Sequence, residues 1–354
     1  MRTLAQDAPD ALANLRDAAR TVHAVMPATP QYRWPLLEAA LQGAPGDGTE
    51  LWLKHENHSP LGAFKIRGGL VYFERWLKGQ SAELSAAGST GARPAGVVSA
   101  TRGNHGQSIA FAARRHGLPA LIVVPHGNSR EKNAAMRALG AELIEHGDDF
   151  QAAREHAQAL AVERAWAMVP SFHADLVAGV ASYALELFDA VAALDVVYVP
   201  IGLGTGACGV MAARDALGLA TEVVGVVSTG APGYALSLVR GECVSHAVTT
   251  ELADGMAVRT PDPQALALMQ AGPGRRGLAR IVSVSDAEVA QAMRQLFETT
   301  HQVAEGAGAA ALAAARQERG QSPNQPRNPV AGRRCALILS GGNVDRDVFA
   351  RVLA

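Results

Sequence analysis

DVVYVPIGLGTGACGVMAARDALGLATEVVGVVS, residues 195–228, is the stretch whose reading decides the fold. DVVYVPI is a short apolar run of strand length, GLGTG is a glycine-rich turn, and ACGVMAARDALG carries helical spacing. EVVGVVS is a second strand. Strand, turn, helix, strand in so few residues is a βαβ unit, and such a unit requires parallel strands.

The same cycle extends in both directions. On the N-terminal side come LWLKHE (51–56, strand), KIRGGLVYFERWLKG (65–79, helix), GVVSA (96–100, strand) and GQSIAFAARRHG (106–117, helix). PALIVVP with REKNAAMRALG and AELIEHG with FQAAREHAQALAVERA repeat it. On the C-terminal side, EVAQAMRQLFETT and GAGAAALAAARQERG are helices and CALILSGG is a strand. The expected class is α/β, with helices on both faces of mostly parallel sheets. In such folds ligands gather at the C-terminal ends of strands, where the Gly- and Asn-rich turns lie here. Residues 80–96 and 317–333 read as exposed loops.

At 354 residues the chain has room for two lobes, and 48% hydrophobic residues suffice for a sizeable core. A formal net charge of -1, with no long run of like charge, gives no electrostatic case for nucleic acid or an anionic membrane as partner. No apolar run approaches the ~20 residues of a bilayer span. MRTLAQDAPDALANLRDAAR reads as a capped amphipathic helix rather than a signal peptide. Cys208, Cys243 and Cys335 are too few and scattered for a disulfide framework, so a cytoplasmic setting is expected.

Only four of the 32 basic residues are lysines, which limits lysine chemistry to Lys54, Lys65, Lys78 and Lys132. Lys78 ends an amphipathic helix and Lys132 lies in the polar run NSREKN; both read as solvated. Lys54, in a strand beside His55 and Glu56, reads as a structural ion-pair partner. Lys65 differs. It follows a Pro-Leu-Gly turn and Phe64, and opens a helix. That placement suits a buried amine against a planar cofactor, because desolvation lowers a lysine pKa toward the range where it is nucleophilic.

SPLGAFKIRGG (59–69) resembles the cofactor-lysine motif of the threonine/serine dehydratase family of pyridoxal-phosphate (PLP) enzymes, fold type II, with Ala63 replacing the family's serine. Three more motifs follow in the family's order: GNHGQ (103–107), GLGTG (202–206) in place of its tetraglycine loop, and SGGN (340–343). The resemblance covers roughly residues 25–350. It implies that Lys65 carries PLP and moves the substrate's α-proton, and that Phe64 packs on the ring. It further implies that Asn104 contacts the ring oxygen, that Gly202, Leu203, Gly204, Thr205 and Gly206 hold the phosphate, and that Ser340 faces the pyridine nitrogen. Thr101, Arg102, Gly103, Asn104 and His105 would meet the substrate, its carboxylate on backbone amides at a helix start. Glu305, in AEGAGA, matches a family glutamate near the cofactor and also reads as a helix N-terminal acid.

The resemblance also implies a large domain of residues 1–80 and 173–354 with a small domain of 81–172. The chain ends soon after SGGN, so no regulatory domain and no isoleucine feedback are expected. The partner expected is a small amino-acid substrate, with a second copy of the chain as a candidate for a homodimer.

Some departures narrow the reading. GLGTGA also fits GxGxxA between strand and helix, the dinucleotide pattern, and an NAD enzyme is therefore the rival; but the next strand ends in Ser228 rather than an acid. A PLP-binding protein without catalysis is the other alternative. Relatives carry metal-binding carboxylates where Ser228 and Tyr234 stand, so no metal is expected there. HENH (55–58) falls one residue short of HExxH and reads as a strand end. Arg102 replaces the serine of relatives that racemise serine, and an arginine is no base at neutral pH. It reads equally as a substrate contact or a salt-bridge partner. The reaction expected is conversion of a β-hydroxy-α-amino acid to a 2-oxo acid and ammonia. Threonine and serine are the family default, phenylserine suits a pocket opened by Ala63, and 3-hydroxyaspartate suits Arg102.

Overall fold

The computed structural model describes residues 8–41, 47–86, 94–320 and 329–354. Its strands are β1 (Gln31–Arg33), β2 (Glu50–His55), β3 (Val97–Ala100), β4 (Ala120–Val124) and β5 (Glu142–Glu145), then β6 (Ala167–Met168), β7 (Val196–Pro200), β8 (Glu222–Ser228), β9 (Arg280–Val284) and β10 (Arg334–Leu339). The helices are α1 (Ala8–His23), α2 (Pro35–Leu41), α3 (Lys65–Ala86), α4 (Asn104–Arg115), α5 (Arg130–Ala138), α6 (Phe150–Glu163) and α7 (Ala174–Ala190). They continue with α8 (Thr205–Ala216), α9 (Gly233–Arg240), α10 (Pro263–Met269), α11 (Asp286–Thr300), α12 (Gly306–Gly320) and α13 (Arg346–Leu353).

Two sheets result. The larger runs β1-β2-β10-β7-β8-β9 and is parallel except for the edge strand β1. The smaller runs β5-β4-β3-β6 and is parallel throughout. β7 and β10 are buried at almost every residue, as a strand covered on both faces must be. One face of the larger sheet packs against α1, α7 and α8 through Val197, Val199 and Ile338. Its other face packs against α11 and α12 through Leu337, Val224 and the alanines of α12. α12 is nearly all small residues on its buried side, which lets it lie close to β7. The smaller sheet is covered by α4 and α5 on one face and by α6 on the other.

The stretch 80–96, read as a loop, begins inside α3, which continues to Ala86. Gln80, Ala82, Glu83, Leu84 and Ala86 are good helix formers and outweigh Ser81 and Ser85. Residues 87–93, 321–328 and 1–7 of the sequence readings lie outside the described residues. HENH is a single 3₁₀ turn, Glu56–His58, at the end of β2. Among the described residues no helix is long and apolar enough to cross a membrane.

Candidate active site

Four loops leave the C-terminal ends of β2, β3, β7 and β10 and meet around one cavity of about 820 Å³, its open mouth included. This is where a parallel sheet presents ligand sites, because the chain must turn there and the helices that follow point their N-termini inward. Phe64, Lys65, Thr101 to Asn104, His105, Gly202, Leu203, Gly204, Gly206, Glu305 and Ser340 all line it. Thr205 is not in the wall but reaches it through Lys65.

The lysine loop is held by its own backbone chemistry. Ser59 Oγ accepts from Ala63 N–H at 3.0 Å and donates to Ala63 O at 2.8 Å. Phe64 N–H donates to Ser340 O, and Ala63 forms a bridge with Gly341, so the SPLGAFK turn is stitched to the SGGN turn. Ala63 is buried in that bridge and does not line the cavity, which corrects the expectation that its small side chain opens the pocket. Lys65 is the first residue of α3. Its Nζ donates to Thr205 Oγ1 at 2.9 Å and lies 4.6 Å from the centre of the Phe64 ring. Burial lowers the amine to about 8, against a smaller opposing pull from the charge of Glu305.

On the loop after β3, Thr101 Oγ1 accepts from Gly103 N–H and Gly106 N–H. Asn104 and His105, the first two residues of α4, line the cavity, and their amides have no intrahelical acceptors. Gly103 adopts φ +148°, and a Cβ there would fall 2.3 Å from Lys132 Cδ, so only glycine serves. Burial and the charge of Lys65 lower His105 to about 3; its imidazole is neutral, with Nε2 buried and unpartnered. Arg102 also lines the cavity, with its Nε buried and no acceptor. No carboxylate pairs with it among the described residues.

On the loop after β7, Gly204 has φ +102° and caps α8. A Cβ there would sit 2.8 Å from the Met269 side chain and 2.9 Å from that of Ala265. The turn thus aims the first amides of α8 at the cavity, the arrangement that favours an anion. Tyr234 holds it: the hydroxyl donates to Leu203 O at 2.9 Å and accepts from Asp262 N–H at 3.1 Å. Ser228 Oγ accepts from Gly230 N–H. The two residues that stand where relatives carry metal-binding carboxylates are therefore engaged in loop structure, and no group of three or more metal-ligating side chains forms among the described residues.

Glu305 precedes α12, as its reading as a helix N-terminal acid requires, and also faces the cavity. Its Oε1 accepts from Asn104 Nδ2 at 2.7 Å. Lys132 is the clear correction to the sequence reading. It is 4% exposed rather than solvated, with Nζ 2.6 Å from Asp254 Oδ2 and 2.9 Å from Glu305 Oε2. The reason is tertiary: the N-terminus of α5 is capped by Asp345 from beyond β10, through Ser129 Oγ and the amides of Arg130 and Glu131. That contact lays the start of α5 against the larger sheet's side of the cavity. Asp254, Asn343, Phe150, Met256 and Val258 were also missed. Asn343 stood in plain view in SGGN; for the others, only the scarcity of lysine marked Lys132.

These features define a class of protein: an α/β enzyme whose cavity offers an activated lysine against an aromatic ring and, beside it, a helix start suited to a phosphate. The chain belongs to the pyridoxal-phosphate dependent enzyme family, whose sequence model matches residues 28–341. The residues fit that cofactor, since the buried amine, the amide cradle at 202–206 and the Ser340 side meet in one cavity. The family match removes the dinucleotide reading of GLGTGA.

The chain is 33% identical over 296 residues to the biosynthetic L-threonine dehydratase of Haemophilus influenzae, covering 83% of this chain and 53% of that one. It is 33% identical over 307 residues to the L-threonine ammonia-lyase of Thermotoga maritima, covering 86% and 70%. It thus spans about half the length of the Haemophilus relative. Among solved structures, a threonine deaminase from T.th. matches at 29% identity with a TM-score of 0.78, over 94% of this chain and 98% of that one. Maize serine racemase matches in fold at 24% identity with a TM-score of 0.81, over 96% and 95%.

Proposed function

We propose that this chain removes water and then ammonia from a β-hydroxy-α-amino acid, leaving a 2-oxo acid. The observation that carries the proposal is Lys65: a desolvated amine at a cavity wall, against Phe64 and 2.9 Å from Thr205 Oγ1. The relatives named threonine dehydratase and threonine ammonia-lyase support it. We take residues 1–80 with 173–354 as the large lobe, 81–172 as the small one, and the cavity between them as the reaction site.

Lys65 would hold pyridoxal phosphate, Phe64 would pack on it, and the amides of Gly202 to Gly206 would take its phosphate. Ser340 would face its ring nitrogen and Asn104 its ring oxygen. Bound there, the cofactor supplies the electron sink that stabilises charge at the substrate's α-carbon. The free amides of Asn104 and His105 hold the substrate carboxylate at the start of α4. Lys65, with its amine lowered to about 8, accepts the α-proton near neutral pH. The β-hydroxyl leaves with a proton as water, and the released enamine hydrolyses to 2-oxo acid and ammonia. Arg102 offers no base on the opposite face, so racemisation is not the main activity.

For the β-substituent, Phe150, Leu203, Met256 and Val258 give the cavity apolar lining that suits an aryl group, and phenylserine is the substrate we propose. The unpartnered Nε of Arg102 favours a second reading, an acidic β-substituent as in 3-hydroxyaspartate. A 2-oxo acid assay across threonine, serine, phenylserine and hydroxyaspartate, in both diastereomers, separates them by kcat/KM. Highest kcat/KM on phenylserine supports the aryl reading, and on hydroxyaspartate the acidic one. Bound cofactor with no 2-oxo acid from any of them would leave only a binding protein. A cytoplasmic homodimer acting in amino-acid catabolism is the setting that goes with this proposal.

A further inference from the structure

Lys132 reaches the cavity from α5, yet its surroundings deny it the role of a base. Glu305 and Asp254 hold its ammonium well above the ordinary lysine range despite burial. It is a fixed cation, and three features show what that cation is next to. Its stem crosses the Gly103 turn so closely that a side chain at 103 would overlap it, and this turn carries the free amides of Asn104 and His105. Its Nζ forms ion pairs with Asp254 on the 3₁₀ turn Asp254–Met256 and with Glu305 ahead of α12. Glu305, through its other oxygen, fixes Asn104.

The Asn104 carboxamide is gripped at both ends. Nδ2 donates to Glu305 Oε1 at 2.7 Å, and Oδ1 accepts from Asn343 Nδ2 at 2.9 Å. Asn343 in turn donates to Leu61 O at 2.8 Å, which sets its own orientation. An ionised carboxylate only accepts, so it can face only the Nδ2 end of Asn104. A protonated one loses the charge that strengthens the bond from Nδ2, and its O–H competes for the Oδ1 that Asn343 Nδ2 already holds, so the grip on Asn104 loosens.

We propose that Lys132 is a positioning residue: by bridging Asp254 and Glu305 and bracing Gly103, it keeps Glu305 ionised on the Asn104 amide and so holds that amide and the Gly103 turn in place. This rests on the proposed reaction only for its activity readout. The groups facing Glu305 are Lys132 from α5, Asp254 from the 3₁₀ turn, Asn104 from α4 and Lys65 from α3. Burial already pushes the Glu305 carboxyl up, with Asp254 adding to the push and Lys132 opposing it. Without Lys132, two carboxylates face each other, and Glu305 takes up a proton.

The test uses the holoenzyme for kinetics and the apo-protein for pyridoxal phosphate affinity, in Lys132→Met, Lys132→Arg and the double variant Lys132→Met/Glu305→Gln. Lys132→Met should lose about 100-fold in kcat at neutral pH with a much smaller change in KM, as expected of a misplaced group. Because the ionised form of Glu305 is the competent one, that loss should shrink as pH rises, so the acid limb of the pH profile lies at higher pH than the parent's. Cofactor affinity should fall about tenfold in the same variant and recover with the same pH dependence. Lys132→Arg should keep the parent's profile. The double variant places a carboxamide at position 305, which can still accept from Asn104 without titrating, and should lose the displacement of the acid limb; it also serves if the single variant fails to fold. Parallel pH profiles for the parent and Lys132→Met, or unchanged cofactor affinity, would overturn the assignment. If the parent itself turns over none of the amino acids, the proposed reaction fails, while the affinity measurements still decide the role of Lys132.

Discussion

Lys54 and Arg67 face Glu56 and Glu186 in a largely buried cluster; around the cavity, Lys65, Lys132 and Arg102 stand with Glu305 and Asp254. In the first group, donors and acceptors match. Arg67 Nε and Nη2 donate to Glu56, and its Nη1 donates to Ser182 and Glu186. Lys54 Nζ donates to Thr29 O, Gln31 Oε1 and Glu186 Oε2. In the second group, the match is incomplete: Arg102 Nε and His105 Nε2 are buried without partners, and Lys65 is held near 8. Matched charges make a rigid foundation, whereas unmatched ones beside a cavity keep hydrogen-bonding capacity for a ligand. The two groups are joined by Lys65 and Arg67, two residues apart on the same helix.

Three substitutions separate foundation from site. Lys65→Ala has the largest expected effect: turnover falls below detection and the bound cofactor's visible absorbance disappears, while the thermal midpoint changes little. A variant that kept the parent's absorbance spectrum would end the assignment of Lys65. Arg67→Met should act on the other side of the comparison. It leaves Glu56 and Glu186 without their shared cation and should cost about 3–5 kcal/mol in stability, read from urea unfolding. An unchanged unfolding midpoint would mean that the cluster is no foundation.

The smallest effect belongs to Glu186. Burial opposes its ionisation, but Arg67 and Lys54 hold it down at about 2. Its folded value lies below the ordinary carboxyl value of 4.5, so its stabilisation is complete above that value and is lost as pH falls from there toward about 2. Glu186→Gln should cost about 1–3 kcal/mol at neutral pH and flatten the acid limb of stability. A variant whose stability falls with acid as steeply as the parent's would place the titrating group elsewhere.

Much of the site was legible because its chemistry is local. A Pro-Leu-Gly turn before Phe64 and Lys65, a Gly-Asn-His start of a helix, and Gly-rich and Ser-Gly-Gly turns after apolar strands each declare themselves within a few residues. Lys132 was not legible, because NSREKN is polar and helical in either environment. Asn343 was passed over beside Ser340, since its partner Asn104 is 239 positions away in sequence. The strand RIVSV, now β9, and the three-residue β1 carry too little pattern to stand out without the sheets they join.

By itself the sequence determined the alternation of strands and helices, the parallel sheets that alternation demands, and the four turns that carry the chemistry, because periodicity and turn residues act over a few positions. Only the tertiary structure decided the strand order that sets β10 between β2 and β7. It also decided which lysine is exposed and which is buried, and the clamp of Lys132, Glu305 and Asn343 on Asn104. Burial and ion pairing depend on what packs against a residue from elsewhere in the chain, and no local pattern records that.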